Sequence, residues 1–190
     1  MTNGTGIVEA GLLLRPAVAE DAERWLELLK DPDYQAYAAP SFVPLATDSG
    51  ELAERIAGSA AAWAEGRPGT LVAVAEDAPD LFLGDIGWRW ANGERLGLAD
   101  LGYGTHPDAR GRGVGRRSIV GLTRWLMSPE GRGLERVQLD HSTENAASCR
   151  VALAAGFELE GIRRGYLPLR GPDGAVRRHD VCLHGRITPP

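Results

Sequence analysis

The chain has 190 residues, 43% hydrophobic and 25% charged, with a net charge of −5. That is enough apolar material for one domain with a full core, and it excludes a chain too polar to fold. No apolar run reaches the roughly 20 residues of a membrane span, and Cys149 and Cys182 are too few for a disulfide framework, so a cytoplasmic protein with no membrane association is expected.

The first residues lack the basic, apolar and small-residue order of a secretory signal. Residues 1–10 are expected to form a disordered tail, and the final Thr188-Pro189-Pro190 to fray, leaving a single domain over 11–186. Leu12-Leu13-Leu14-Arg15-Pro16 is a short apolar run stopped by proline, which predicts an edge strand. Ala22, Trp25, Leu26 and Leu29 recur at helical spacing, with Asp21 in the first turn, where negative charge suits the helix dipole. Asp31-Pro32 is read as the end of that helix. The proline-rich stretch to about Thr47, holding Tyr34, Tyr37 and Phe42, is read as loop. Leu52, Ile56 and Trp63 align on a second helix capped by Asp48 or Ser49.

Residues 71–75, 81–90 and 98–106 then read as three strands in series, with Asn92-Gly93 as a hairpin-type turn. A helix over 116–127 shows Ile119, Leu122, Thr123 and Leu126 on one side. A strand over 136–141 follows, then a helix over 145–155 ended by Gly156. Strands over 157–162 and 176–183, separated by a turn at 171–174, complete the chain. An antiparallel meander combined with crossover helices defines an α+β fold. No repeat or linker divides it.

The stretch that carries chemistry is Gly102-Tyr103-Gly104-Thr105, His106-Pro107-Asp108-Ala109, then Arg110-Gly111-Arg112-Gly113-Val114-Gly115-Arg116-Arg117. A strand enters a turn with three glycines at alternate positions, and a helix follows at once. Glycine lets backbone approach a ligand closely, and a helix N-terminus offers unpaired N–H groups and partial positive charge, a ready site for phosphate oxygens. The Walker lysine is absent, and the spacing is not that of the dinucleotide fingerprint, so a nucleotide-binding protein has only the glycines in its favour.

Arg110, Gly113 and Gly115 instead meet the pattern Arg/Gln-x-x-Gly-x-Gly/Ala. About thirty residues on stand Asn145-Ala146-Ala147-Ser148, then Gly156-Phe157 and Glu160-Gly161. With Leu12–Pro16, Asp21, the Leu101–Gly104 strand, Gly165-Tyr166 and Asp180, these residues resemble the GNAT N-acetyltransferase superfamily over nearly the whole chain. Within it they look most like the ribosomal-protein N-terminal (RimJ/RimL-type) branch. The resemblance implies a mixed, mostly antiparallel central sheet with splayed middle strands, flanked by helices. It implies acetyl-CoA as cosubstrate and direct acetyl transfer to a primary amine, whether a protein or peptide N-terminus or a small molecule. The implied partner is that amine, with no nucleic acid and no membrane, in a monomer or homodimer. A non-catalytic acyl-CoA-binding module is the alternative, because the tyrosine many relatives carry four residues before Gly-Phe is Ala152 here.

By the same resemblance, backbone near Tyr103, Gly104 and Thr105 holds the pantetheine arm. Residues from Arg110 through Gly111, Arg112, Gly113, Val114, Gly115 and Arg116 hold the pyrophosphate, and Asn145 touches the arm. Ser148 is the candidate proton donor to the leaving thiolate, with Asp100 and then His106 as candidate bases. Tyr34, Tyr37, Trp88, Trp90 and Tyr166 are candidate walls of the acceptor site. His179 and His184 with the two cysteines show no metal-ligand spacing, and no metal is assigned. Residues 1–100 carry 17 acids and 7 bases, while residues 101–190 carry 9 acids and 14 bases. The asymmetry suits one anionic cosubstrate and one cationic acceptor.

Overall fold

The computed structural model describes residues 2–3, 6–171 and 173–188. Met1, Gly4 and Thr5 of the expected tail, Pro189 and Pro190 of the expected frayed end, and Pro172 of the expected 171–174 turn lie outside the described residues. Among the described residues, nine strands form one sheet in the order β1-β2-β3-β4-β5-β6-β7-β9-β8. They are β1 (Thr2–Asn3), β2 (Gly6–Glu9), β3 (Leu12–Pro16), β4 (Gly69–Ala75), β5 (Gly84–Trp90), β6 (Leu98–Thr105), β7 (Arg136–Ser142), β8 (Glu158–Arg170) and β9 (Val176–Ile187). Every neighbouring pair is antiparallel except β6 and β7, which run parallel. Helix α4 (Val114–Met127) makes the crossover between them.

The sheet is buried on both faces at its centre. In β4, Leu71 and Ala73 point into a core shared with α4, while Val72 and Val74 point into a second core. That second core also holds Trp25, Leu28 and Leu29 of α1 (Ala22–Lys30), and Leu52 and Ile56 of α3 (Ser49–Ala64). Two-sided burial explains why β4 reads as a continuous apolar run rather than an alternating one. Helix α5 (Ala146–Ala154) packs with α4 on the first face. Asp48 caps α3 by accepting from the Glu51 N–H at 2.9 Å, as its sequence position predicted. No helix of the described residues is long and apolar enough to cross a membrane.

Several expectations are corrected. Residues 6–9 are not tail: β2 pairs with β3 through a two-residue turn at Ala10 and Gly11, both at positive φ. Arg124 of α4 pairs with Glu9, and Arg117 donates to the Ala10 carbonyl at 3.0 Å, which ties this hairpin to the helix. In consequence β3 is an interior strand between β2 and β4. The 32–47 stretch is not all loop. Asp31-Pro32 ends α1 and also starts α2 (Pro32–Ala38), because Asp31 accepts from the Tyr34 N–H and proline is tolerated at the first helical position. Asn92 and Gly93 do take positive φ, but a 3-10 turn at Glu94–Leu96 lengthens the connection beyond a simple hairpin. The last hairpin is also longer than expected, since β8 continues through residues 163–170.

Candidate active site

Strands β6 and β7 pair only from Leu98↔Arg136 to Leu101↔Leu139. Beyond that point they part, and among the described residues the β7-facing backbone of residues 102–105 has no strand partner. Backbone polar groups left open in this way need another partner. An extended, amide-bearing chain is the kind of partner that such a strand edge pairs with.

At the head of the opening lies the glycine loop. Gly113 is the N-cap of α4 at φ 73°, a backbone conformation costly for other residues, and no side chain caps the helix. No acid lies in the first turn, so its N–H groups and dipole are unopposed. Added Cβ atoms at Gly111 and Gly113 would meet nothing within 4 Å, so the loop surface is open. Gly115 serves a different purpose: a Cβ there would stand 2.8 Å from the Tyr103 ring, so the helix start can lie against that ring only without a side chain.

The four arginines of the loop do not act alike. Arg112 and Arg116 are exposed and make no ion pair among the described residues. The Arg110 guanidinium instead pairs with Asp31 and Asp33, tying the loop to the start of α2. Burial works against the charge of Asp31, yet the Arg110 guanidinium and the Tyr34 N–H hold its carboxyl below the ordinary carboxylate value. Arg117 is turned back to the Ala10 and Arg112 carbonyls.

Inside the opening, on the α4–α5 face, the Tyr103 hydroxyl and Ser148 Oγ share a hydrogen at 3.0 Å. Ser148 is 7% exposed. Its N–H donates to Asn145 Oδ1 at 3.0 Å, so Asn145 is the N-cap of α5 and fixes the turn that presents Ser148. Burial pushes the Tyr103 phenol up, with the Ser148 bond opposing, so the phenol keeps its proton at neutral pH. The sequence pointed to Tyr103 only for its backbone. Its side chain supplies, from the facing strand, a phenol next to the position where Ala152 lacks one.

The other face carries acids. Asp100 on β6 accepts from Gln138 Nε2 at 2.6 Å and from Arg89 at 3.2 Å. Asp140 on β7, two residues beyond Gln138 on the same face, has Arg163 at 3.6 Å. Burial and then the charge of Asp100 push the Asp140 carboxyl up, against the pull of Arg89 and Arg163. The Arg163 guanidinium lies 4.7 Å from the Tyr166 ring, which brings the exposed Tyr166 to this strip. Tyr34 and Tyr37 are half-buried on α2, which packs over β6, β7 and β8. Asp140 was not a sequence candidate. Its signal was period two from Gln138, which sets it beside Asp100 once β6 and β7 are known to be neighbours.

Asp85 on β5 faces Gly104 in the register. Its Oδ1 is buried without a hydrogen-bond partner, and burial pushes the carboxyl up to about 6. Burial, with the Asp85 charge behind it, also pushes the Tyr34 phenol up. Between about pH 4 and pH 6 the folded chain therefore holds a proton on Asp85 that the unfolded chain has released, so stability falls as pH rises through that window. Asp85→Asn is expected to flatten this fall and to stabilise the fold at pH 7 by about 2 kcal/mol. Urea denaturation at pH 5 and pH 7.5 checks both.

Other candidates sit elsewhere. His106 is buried: Arg24 and the Asp108 N–H donate to its Nδ1, which leaves Nε2–H to donate to Glu27 at 3.0 Å. It braces the loop against α1 and does not face the opening. Trp88 and Trp90 lie on the α4 face of β5, packed edge to face with centroids 5.0 Å apart and with the Arg132 guanidinium over both rings. That puts them across the sheet from Asp100 and Asp140, in or against the first core.

Comparison with known proteins accords with this geometry. No curated protein matches the sequence. Among solved structures, Mycobacterium smegmatis RimJ in complex with CoA-disulfide is similar, with a TM-score of 0.79 at 20% identity, covering 96% of this chain and 86% of that one. Ribosomal-protein-S5-alanine acetyltransferase from Vibrio fischeri gives 0.75 at 18%, covering 95% and 96%. RimL, the ribosomal L7/L12 alpha-N-protein acetyltransferase in complex with coenzyme A, gives 0.75 at 21%, covering 95% and 97%. At these identities the likeness is one of fold. The family model described as the acetyltransferase (GNAT) domain matches residues 11–158, and the chain belongs to that family of acetyltransferases.

Proposed function

We propose that the chain transfers the acetyl group of acetyl-CoA to a primary amine, with the N-terminus of a protein or peptide as the leading acceptor class and a small amine as the other. The parting of β6 from β7 beside the Tyr103–Ser148 pair carries this reading. Acetyl-CoA, when bound, supplies an acyl thioester. Among the described residues, the N–H groups of Tyr103 and Thr105 face away from β5 with no strand partner, and they can hold an amide-bearing arm and polarise a carbonyl. The uncapped start of α4 with Arg112 and Arg116 suits phosphate. With the Tyr103 phenol as donor in the bond between the two hydroxyls, the Ser148 hydroxyl keeps its own hydrogen to give to a leaving sulfur. The amine must lose a proton before it attacks. Asp140, pushed up by burial and by Asp100, takes that proton, while Asp100, held by Gln138 and Arg89, orients the strip.

Two observations support a peptide acceptor. The segment after α2 lines an open groove of about 360 Å³ between residues 39–45 and Arg170, with Phe42 68% exposed. The RimL and S5-alanine acetyltransferase structures named above are of proteins that act on ribosomal proteins. Thiol release from acetyl-CoA is the measurement, run on peptides with free N-termini and on a panel of amino sugars and polyamines. Turnover on at least one peptide, lost when its N-terminus is blocked, is expected. CoA binding with no turnover on any amine would overturn the reading in favour of a binding module.

A further inference from the structure

Beneath α5, three residues unused by the mechanism above come together: His141 on β7, His184 on β9 and Cys149 on α5. One ligand atom from each lies within 4.8 Å of the other two. His184 is fully buried and His141 is 5% exposed. Their Nε2 atoms face each other at 3.1 Å. His141 Nδ1 stands 2.8 Å from the Ser142 carbonyl, which can only accept, so Nδ1 carries the hydrogen and Nε2 keeps its lone pair. His184 Nδ1 is buried with no hydrogen-bond partner.

The geometry points to a zinc(II) site with His141, Cys149 and His184 as protein ligands. Imidazole and thiolate are both donors that zinc takes, and here two of one and one of the other lie on three elements that only the fold brings together. Two nitrogens on one tetrahedral zinc stand about 3.3 Å apart, close to the separation of the two Nε2 atoms. The His141 Nδ1–H bond to the Ser142 carbonyl is the outer bond that orients a ligating histidine. Cys149 is half-exposed, which gives the ion a way in and a water the fourth position. On binding, the Cys149 thiol gives its proton to solvent and its sulfur lone pair to the metal. The consequence is mechanical: zinc clamps α5, and with it Asn145 and Ser148, onto β7 and β9.

Cobalt(II) is the probe. The full chain, stripped with a chelator, is expected to saturate at one equivalent, with the visible bands of a tetrahedral ion and a near-ultraviolet thiolate-to-cobalt band, both erased by zinc. Cys149→Ser should lose the thiolate band, and His184→Gln should weaken binding by more than about tenfold. Because a new amide at position 184 can unfold the core, the wild-type chain carries a second readout: zinc should slow alkylation of Cys149, read by mass spectrometry. Absence of saturable cobalt binding, a thiolate band that persists in Cys149→Ser, or alkylation of Cys149 indifferent to zinc would each overturn the site.

Discussion

Gly113→Asp is expected to lower CoA affinity by about a hundredfold or more, which is roughly 2.7 kcal/mol. The side chain would project from the N-cap of α4, where φ is 73° and an added Cβ meets nothing within 4 Å. The space is therefore available, and two separable costs follow. Any side chain pays the left-handed backbone strain, about 1 kcal/mol. Aspartate also places a negative charge at the helix start, where it satisfies the dipole itself and repels phosphate. Gly113→Ala isolates the first cost: a stability loss with CoA affinity within a few-fold of wild type. Titration calorimetry on both variants separates strain from charge, and unchanged affinity in Gly113→Asp would remove the loop from phosphate binding.

Ser148→Ala is expected to lower kcat by about a hundredfold with CoA affinity little changed, since proton transfer by a placed side chain contributes on that scale. Tyr103→Phe should give a loss of similar size, because the two hydroxyls share one hydrogen at 3.0 Å. Once one is gone, removing the other should cost little, so the double variant should resemble either single one. Additive losses would mean that the hydroxyls act separately. A wild-type rate in Tyr103→Phe alone would leave Ser148 as donor without its neighbour. Removing the Tyr103 hydroxyl does not disturb the ring's packing against Gly115, so a fall in kcat would report chemistry rather than misfolding.

What could be read in the sequence was local. The glycine loop, the Asp48 cap and Gly156 all depend on residues within a turn of each other, and short-range spacing reveals them. The helix α2 was hidden because one dipeptide carries two meanings: proline after an acid stops a helix read forwards and starts one read from its cap. The chemistry of Tyr103 was hidden because its partner lies on α5, brought close only when β6 and α5 flank one opening. Trp88 and Trp90 share a face by period two, as the sequence implied, but which face they share depends on where α4 packs. Arg112 and Arg116 of the basic half stay exposed and make no ion pair among the described residues. The acids of the first half are more engaged than the sequence suggested: Asp31 and Asp33 hold Arg110, Asp48 caps α3 and Glu51 pairs with Arg55. The acids beside the opening are strand residues, Asp85, Asp100 and Asp140.

The short parallel ladder between β6 and β7 has a consequence for how the molecule breathes. On one side of it six strands form an antiparallel block, and on the other β7, β9 and β8 form a second. Among the described residues, four residue pairs at one end are the only direct strand-to-strand link between the blocks. A small rotation of one block about that ladder, with α4 flexing as the strap, widens the gap at residues 102–105 while every antiparallel ladder stays intact. Amide exchange should then be fastest near the mouth and slowest near Ala99 and Val137, as in a hinge whose pin lies at the foot of the door.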